Sequence, residues 1–354
     1  MKNIEKFQSL LGPEADGLLL TSRYSRYYGA SFDIAEGVAV VSAKGCRYFT
    51  DSRYIESAEK GIRDFRVEMV GNGRSYNQLI NEAIRDFGIT KLGYEEDYLT
   101  MAEFLGYEKA LNAALVPMNE KIHAFRAVKE EWELELMRKA QDITDTAFAE
   151  VVKRIHAGMT EKELCAELIY CLMKNGADGL SFDPIVVSGP NTSLPHGVPG
   201  DRKLQEGDFI TMDFGVLYKG YCSDMTRTVA LGYATEEMKK VYEIVRQAQL
   251  TGIAATRAGV TGKEIDGAAR QVIADAGYGA YFGHGYGHCL GLEIHESPRC
   301  SQAGTTVMEE NMVSSAEPGI YLPGKFGVRI EDVVIIRKDG CEVITHSPKN
   351  LMIL

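Results

Sequence analysis

Short apolar runs bounded by turn residues dominate the first 120 residues and predict alternating strands and helices. The run Leu18-Leu19-Leu20 is continuous rather than alternating, which is typical of a buried strand. The predicted elements are strands at 16–21, 37–42 and 46–51 and helices at 54–60 and 76–87. This part of the sequence holds no cluster of metal-ligating residue types, so it is interpreted as a structural or interface domain.

The pattern changes between Pro117 and Lys129, where a domain boundary is predicted, and the domains are taken as 1–122 and 123–354. Beyond the boundary, apolar residues from Leu136 to Ile155 recur with the 3.6-residue period of an amphipathic helix. The total length agrees with two domains, because single hydrophobic cores stop growing at about 250–300 residues.

An internal repeat organises the second half. Residues 157–164 read AGMTEKEL and residues 258–265 read AGVTGKEI. Each copy places a threonine at a helix N-cap and a glutamate three residues later, which is the capping-box pattern. Each is preceded by a helical segment and followed by a glycine-rich, strand-like region with histidine. The repeat predicts a duplicated αβ unit and an α+β fold with a mainly antiparallel sheet covered by helices.

The net charge of the chain argues against certain partners, and its cysteine content indicates the compartment. A formal net charge of −11 argues against nucleic acid and anionic membranes as partners. Apolar runs are too short to span a bilayer, and the first residues, MKNIEKFQSLLG, lack the apolar stretch of a secretion signal. Seven cysteines form no CxxC pair and are odd in number, which predicts reduced thiols in a cytoplasmic protein.

Five residues of the second half have the chemistry of metal ligands and stand in five separate strings. They are Asp213 in ITMDFG, Asp224 in CSDMTRT, His288 in GYGHCLG, Glu317 in SAEPGIY and Glu331 in VRIEDVV. Four carboxylates and one imidazole suit two close divalent cations of the Mn, Co or Zn type. Such a pair activates water at neutral pH, so the set predicts a metallohydrolase.

A hairpin is predicted around Tyr218-Lys219-Gly220, with Asp213 and Asp224 on its two arms and near each other. Adjacent carboxylates repel, so a cation between them is expected. The alternative, a solvated surface pair, suits Asp213 poorly because its neighbours are apolar.

His288 is predicted on a strand from Gly287 to Ile294, since the glycines before it disfavour a helix. His295, seven residues later, would face the opposite side unless the glycines permit a bend. Glu317 is predicted at a strand end. Glu331 is predicted inside an apolar strand, where a buried carboxylate needs a partner. That partner is either metal or Arg329, two residues earlier on the same face.

Together these strings resemble the proline-specific metallopeptidases of the pita-bread family, Xaa-Pro dipeptidase (prolidase) and aminopeptidase P. TDSRY at 50–54 is similar to a string of the family's amino-terminal domain, and FRAVKEEWELELMRKA at 125–140 resembles its linker helix. The resemblance implies a C-terminal pita-bread domain with pseudo-duplicated αβ units around an antiparallel sheet. It also implies a smaller creatinase-like α/β domain at the N-terminus that serves structure and oligomer contacts.

The resemblance also assigns roles. Asp213, Asp224 and Glu331 would hold one cation, and Asp224 and Glu331 would bridge to a second, completed by His288 and Glu317. A hydroxide shared by two Mn²⁺ or Co²⁺ ions, with Zn²⁺ as the alternative, would attack the carbonyl before proline. The catalytic residues would be Glu317 as general base, His295 as stabiliser of the oxyanion and His196 as a contact of substrate or intermediate. His196, His284, His295 and Arg299 are the candidate substrate-binding residues.

The expected partner is therefore a peptide with proline at its second position, cleaved by a cytoplasmic homodimer without nucleic acid or membrane. Methionine aminopeptidase is the alternative within the enzyme class. A metal-free binding module on the same fold is the alternative outside it, but such relatives typically lose ligands, and all five are present in this chain.

Overall fold

The computed structural model describes residues 3–33, 35–71 and 73–354. These residues form two compact units, one ending at Arg126 and the other beginning at Ala127. Among the described residues, no helix combines the length and the apolarity needed to cross a bilayer.

The first unit is an α/β layer structure built on one mixed sheet. Its helices are α1 (Asn3–Ser9), α2 (Arg23–Ala30), α3 (Ile55–Gly61), α4 (Tyr76–Phe87), α5 (Met101–Ala110) and α6 (Asn119–Ala127), with a 3₁₀ turn at Glu96–Tyr98. Its strands are β1 (Gly17–Leu20), β2 (Val38–Ser42), β3 (Gly45–Thr50), β4 (Arg66–Met69), β5 (Lys91–Tyr94) and β6 (Ala114–Pro117). The sheet order is β4-β3-β2-β1-β5-β6. Strand β2 is antiparallel to both β1 and β3, and the other neighbouring strands, β3–β4, β1–β5 and β5–β6, are parallel. The three strands and two helices predicted here are confirmed as β1, β2, β3, α3 and α4.

The second unit contains two helix pairs and a set of antiparallel strands. Its helices are α7 (Glu131–Val151), α8 (Glu161–Lys174), α9 (Glu236–Ala255) and α10 (Gly262–Asp275), with 3₁₀ turns at Val152–Arg154, Gly189–Ser193 and Gly279–Tyr281. Its strands are β7 (Gly179–Leu180), β8 (Ile185–Ser188), β9 (Phe209–Phe214), β10 (Val216–Tyr218), β11 (Tyr221–Cys222), β12 (Met225–Ala230), β13 (Gly287–Cys289), β14 (Glu296–Cys300), β15 (Val313–Ala316), β16 (Gly319–Leu322), β17 (Phe326–Arg329), β18 (Asp332–Arg337) and β19 (Gly340–Val343). The long helix predicted at 136–155 is confirmed as α7, which passes into the first of the 3₁₀ turns before Ile155.

Each helix pair covers its own sheet. Apolar side chains of α7 and α8 pack in one buried cluster with those of the β12-β9-β8 sheet. Side chains of α9 and α10 pack in a second cluster with the five-stranded sheet β14-β13-β15-β18-β19. The α+β class, with helices covering antiparallel strands, is confirmed.

The sequence repeat corresponds to a structural repeat, which we call hook 1 (158–160) and hook 2 (259–261). In both hooks the glycine has a positive φ, 92° in hook 1 and 88° in hook 2, and the threonine caps a helix through a capping box. The glycine amide of hook 1 donates to the Leu204 carbonyl, and the Leu204 amide donates back to hook 1, both at 2.9 Å. Hook 2 makes the same pair of bonds with Met308, at 2.9 and 2.8 Å. The predicted duplication is thus confirmed down to individual main-chain bonds.

Candidate metal centre

The hairpin predicted around Asp213 and Asp224 is formed by β9 and β12, which are joined through β10 and β11. Its turn consists of Lys219 and Gly220, whose φ angles of 45° and 80° suit a two-residue type I′ turn. Asp213 of β9 stands opposite Thr226 of β12, and Asp224 directly precedes β12. The two aspartates therefore lie at the same end of one strand pair, as predicted.

His288 lies in β13, which ends one residue later. The prediction of a strand continuing to Ile294 is wrong, because the Gly291 amide donates to the Glu293 carbonyl at 2.9 Å and this local turn replaces strand pairing. The bend that the glycines permit is confirmed. It folds His295 back until its ring centroid lies 4.5 Å from that of His288.

Glu317 follows β15 directly and precedes β16, as predicted. Glu331 was predicted inside a strand, and this is wrong: it stands in the two-residue break between β17 and β18. The break is needed because β17 pairs with β16 whereas β18 pairs with β15. The Glu331 amide donates instead to the Thr226 carbonyl at 3.1 Å, which ties it to β12 beside Asp224.

All five predicted ligands line one cavity of about 520 Å³. Ligand atoms of Asp224, His288 and Glu331 lie within 4.8 Å of one another. The Nε2 atom of His288 is 3.6 Å from Asp224 Oδ2 and 3.3 Å from Glu317 Oε1. Asp213 lines the same cavity but lies outside the three-residue cluster. Side chains from five separate strings therefore converge.

Arg329 belongs to this site, but its carboxylate partner in the structure differs from the one that the sequence suggested. Its Nη2 donates to Asp213 Oδ2 at 2.6 Å, so the suggested pairing with Glu331 is not what the structure contains. Its Nε donates at 3.1 Å to the Thr226 hydroxyl, which in turn donates to Glu331 Oε2 at 2.7 Å. Its Nη1 donates to the Tyr321 hydroxyl at 2.8 Å. The sequence feature that could have identified Arg329 is an arginine in an otherwise apolar strand. No sequence feature pointed to Tyr321.

The electrostatics of the cavity fit bound cations. Burial, reinforced by the neighbouring carboxylates, raises the pKa of Asp224 and of Glu331 well above its ordinary value, and burial raises the pKa of Glu317 to about 7. Asp213 Oδ1 is buried and has no hydrogen-bond partner within the described part of the chain. One guanidinium cannot neutralise four carboxylates in so small a volume, whereas divalent cations would.

The imidazole of His288 also suits a metal ligand. Burial, with His295 beside it, lowers the pKa of His288 to about 3, so the ring is neutral at pH 7. Its Nδ1 is 3.1 Å from the Cys289 carbonyl, which leaves Nε2 to face the carboxylates. A neutral ring held through one nitrogen and open at the other is the usual arrangement of a metal-binding histidine.

The remaining predicted residues also line the cavity, and the set comprises His196, His284, His295 and Arg299. His284 is engaged within the protein, because its Nε2 lies 2.8 Å from the Tyr321 hydroxyl. Burial lowers the pKa of His284 to about 4 and also lowers that of His295. Both rings are therefore neutral at pH 7 and can act as hydrogen-bonding groups.

Metal-free protein is expected to lose stability as the pH rises from 6.5 to 8. Because the pKa values of Asp224, Glu317 and Glu331 are raised, the folded state holds protons that the unfolded state has already released. Losing them costs stability, on the order of 1 kcal/mol and about 2 °C in the Tm. The lowered pKa values of His284 and His288 act only below about pH 6.5, their unfolded value.

This dependence is measurable by thermal unfolding of the chelated protein at several pH values. The Glu317→Gln variant should show a shallower slope, since one titrating group is removed. A Tm that stays constant or rises between pH 6.5 and 8 would contradict the proton uptake assigned to these carboxylates.

Family models match both units of the chain. The model described as "Metallopeptidase family M24" covers residues 135–338, and the model described as "Creatinase/Prolidase N-terminal domain" covers residues 4–128. The first match contains all five predicted ligands.

Individual proteins match over nearly the whole length. The structure of an Xaa-Pro dipeptidase from Bacillus anthracis is 41% identical, covers 100% of this chain and 99% of its own, and superposes with a TM-score of 0.96. An X-Pro aminopeptidase structure from Thermotoga maritima is 37% identical with a TM-score of 0.94, covering 100% of both chains. An Xaa-Pro dipeptidase from Pyrococcus horikoshii is 35% identical over 342 residues, 95% of this chain and 94% of its own. The chain belongs to metallopeptidase family M24, in which such a centre implies bound divalent metal ions.

Proposed function

We propose that this protein is an Xaa-Pro exopeptidase, which hydrolyses the peptide bond between an N-terminal residue and proline. The observation that carries the proposal is the convergence of ligand atoms from Asp224, His288 and Glu331 on a cavity that His196 and His295 also line. Relatives named Xaa-Pro dipeptidase and X-Pro aminopeptidase at 35–41% identity support the choice of substrate.

The residues that would hold two cations are Asp213, Asp224, His288, Glu317 and Glu331. The ions, which we propose to be Mn²⁺ or Co²⁺, would supply Lewis-acid polarisation and an acidified water. Glu317 is suited to accept the proton of the attacking water, because its carboxylate lies in the cavity beside the other proposed ligands. Its Oε1 accepts a hydrogen bond from the Ser315 hydroxyl at 3.0 Å, which orients the carboxylate.

His295 would stabilise the developing oxyanion, and His196 would contact the substrate or the intermediate. The His295 side chain is exposed toward the cavity and neutral at pH 7, so it can donate one hydrogen bond to an oxygen that gains charge. Arg299, also exposed in the cavity, is a candidate contact for a charged part of the peptide.

A tertiary Xaa-Pro amide has no N–H, so shape rather than a hydrogen bond to that nitrogen must select it. Part of the cavity is apolar, with Phe182, Pro184, Ile185 and Ile294 among its lining residues. Such a surface is suited to a pyrrolidine ring. The cavity thus offers carboxylates for cations and an apolar region for proline within one volume.

We further propose that the unit from residue 127 is catalytic and that the first unit serves oligomer contacts in a cytoplasmic homodimer. Helix α5 supports a contact role, because it has no buried residue and its Met101 and Leu105 are 72% and 52% exposed. All seven cysteines are free, which agrees with a reducing compartment.

The test is hydrolysis of Ala-Pro, Ala-Pro-Ala and Met-Ala-Ser with Mn²⁺ added. Cleavage of Ala-Pro alone is the dipeptidase result, and release of alanine from Ala-Pro-Ala is the aminopeptidase result. Exclusive cleavage of Met-Ala-Ser would replace the proposal with methionine aminopeptidase. No cleavage of any of the three, with metal bound, would favour a binding module.

A further inference from the structure

The buried carboxylate of Glu296 takes no part in the proposed chemistry and lies against the turn that precedes His295. Its Oε1 accepts a hydrogen bond from the Glu293 amide at 3.3 Å. The same carboxylate lies against Gly291, where an added Cβ would come within 2.8 Å of Glu296 Oε2. The segment 290–295 is therefore folded around the Glu296 carboxylate, and a side chain at Gly291 would displace it.

The charge of this carboxylate is matched by a buried lysine from a distant part of the chain. Lys129 Nζ lies 2.9 Å from Glu296 Oε2, and the two side chains are only 1% and 7% exposed. Lys129 is itself held in place, because its main-chain amide donates to the Asn311 carbonyl at 3.1 Å. Both ends of the ion pair are thus anchored within the second unit.

The segment that this pair supports links two ligand-bearing parts of the site. The carbonyl of Gly291 accepts a hydrogen bond at 2.8 Å from the amide of Cys222, two residues before Asp224. At its other end the segment places the His295 ring against His288. The His295 ring has no hydrogen-bond partner among residues 3–33, 35–71 and 73–354, so its position depends on the main chain that carries it and on its contact with the His288 ring.

We propose that Lys129 and Glu296 are positioning residues for the reaction, acting through His295. Their ion pair fixes segment 290–295 and so holds the His295 ring where it can reach the reacting carbonyl. This inference rests on the proposed function, since it takes His295 to stabilise the oxyanion. Neither side chain lines the cavity, which separates their role from that of a substrate contact.

A double-mutant cycle tests the proposal with Ala-Pro as the substrate at saturating Mn²⁺. Lys129→Met is expected to lower kcat by about 10- to 100-fold with KM within about twofold of wild type, since an ångström of misplacement can cost that much. His295→Ala is expected to lower kcat by about 100- to 1,000-fold. The double variant should be no slower than His295→Ala alone. Reductions that multiply would overturn the proposal, because they would mean that Lys129 acts independently of His295.

Lys174→Met is the matched control, since Lys174 makes a 3.0 Å ion pair with Glu150 between α7 and α8 and does not line the cavity. It should leave kcat unchanged. If Lys129→Met does not fold because the buried Glu296 carboxylate loses the positive charge of Lys129, a variant that carries both Lys129→Met and Glu296→Gln removes both charges and takes the place of Lys129→Met in the cycle.

A readout that does not require turnover separates this proposal from the proposed function. Seven histidines give few ring signals in an isotope-labelled sample, and His295→Ala identifies that of His295 by its loss. Lys129→Met is expected to shift or broaden the His295 signal, whereas Lys174→Met should not. An unmoved signal would overturn the positioning role even in an active enzyme. A moved signal in a protein that cleaves no Xaa-Pro peptide would leave the positioning intact and reject the function.

Discussion

Glu317→Ala is expected to lower kcat for Ala-Pro by about three orders of magnitude or more while leaving the fold intact. The substitution removes a proposed ligand and the proposed proton acceptor together. Glu317 stands in a connection between strands, and its side chain is 18% exposed, so truncation leaves no large cavity in the core. Initial rates at saturating Mn²⁺ measure the loss, and circular dichroism with thermal unfolding checks the fold.

His288→Ala should have the same outcome, because it removes the one imidazole of the ligand set. Glu310→Ala, an exposed acid of the same unit, is the control and should retain full activity. Wild-type rates in either Glu317→Ala or His288→Ala would refute the roles assigned to those residues.

Dialysis against a chelator is expected to abolish Xaa-Pro cleavage, and Mn²⁺ or Co²⁺ is expected to restore it. The physical reason is that the carboxylates crowd together in a buried space and retain raised pKa values until cations offset their charge. Chelation should also lower the Tm, because any ligand that binds only the folded state stabilises it by mass action.

Activity should be followed while each ion is added back to the chelated enzyme, with Mg²⁺ as the comparison ion. A site of four carboxylates and one imidazole favours Mn²⁺ and Co²⁺ over Mg²⁺, which retains its own water shell. Cleavage that is indifferent to chelation would count decisively against a metal centre.

Most of the candidate site could be predicted from sequence because its chemistry is concentrated in short strings. Asp213 stands in an apolar strand beside a recognisable turn, and two separate local patterns therefore placed it near Asp224. The hooks were predictable for the same reason: capping boxes are local, with the threonine and glutamate three residues apart.

The predictions that are wrong concern features that depend on contacts between residues far apart in the sequence. Glu331 reads as part of a continuous apolar strand, and only the change of strand partner shows why the chain breaks there. The strand predicted through Ile294 ends early at a turn closed by Gly291 and Glu293. This turn packs against Glu296, whose ion-pair partner Lys129 is 167 positions away in the sequence. Proximity along the strand suggests Arg329 as the alternative to metal as a partner of Glu331, whereas in the structure its guanidinium pairs with Asp213.

The two repeats divide the proposed ligands between them. Asp213 and Asp224 belong to the half that follows hook 1, and His288, Glu317 and Glu331 belong to the half that follows hook 2. Bound cations would consequently join the two pseudo-symmetric halves of the second unit. The affinity for the ions and the stability of the contact between the halves are then thermodynamically linked. A substitution that disturbs the contact between the halves can therefore weaken ion binding even when every proposed ligand is unchanged.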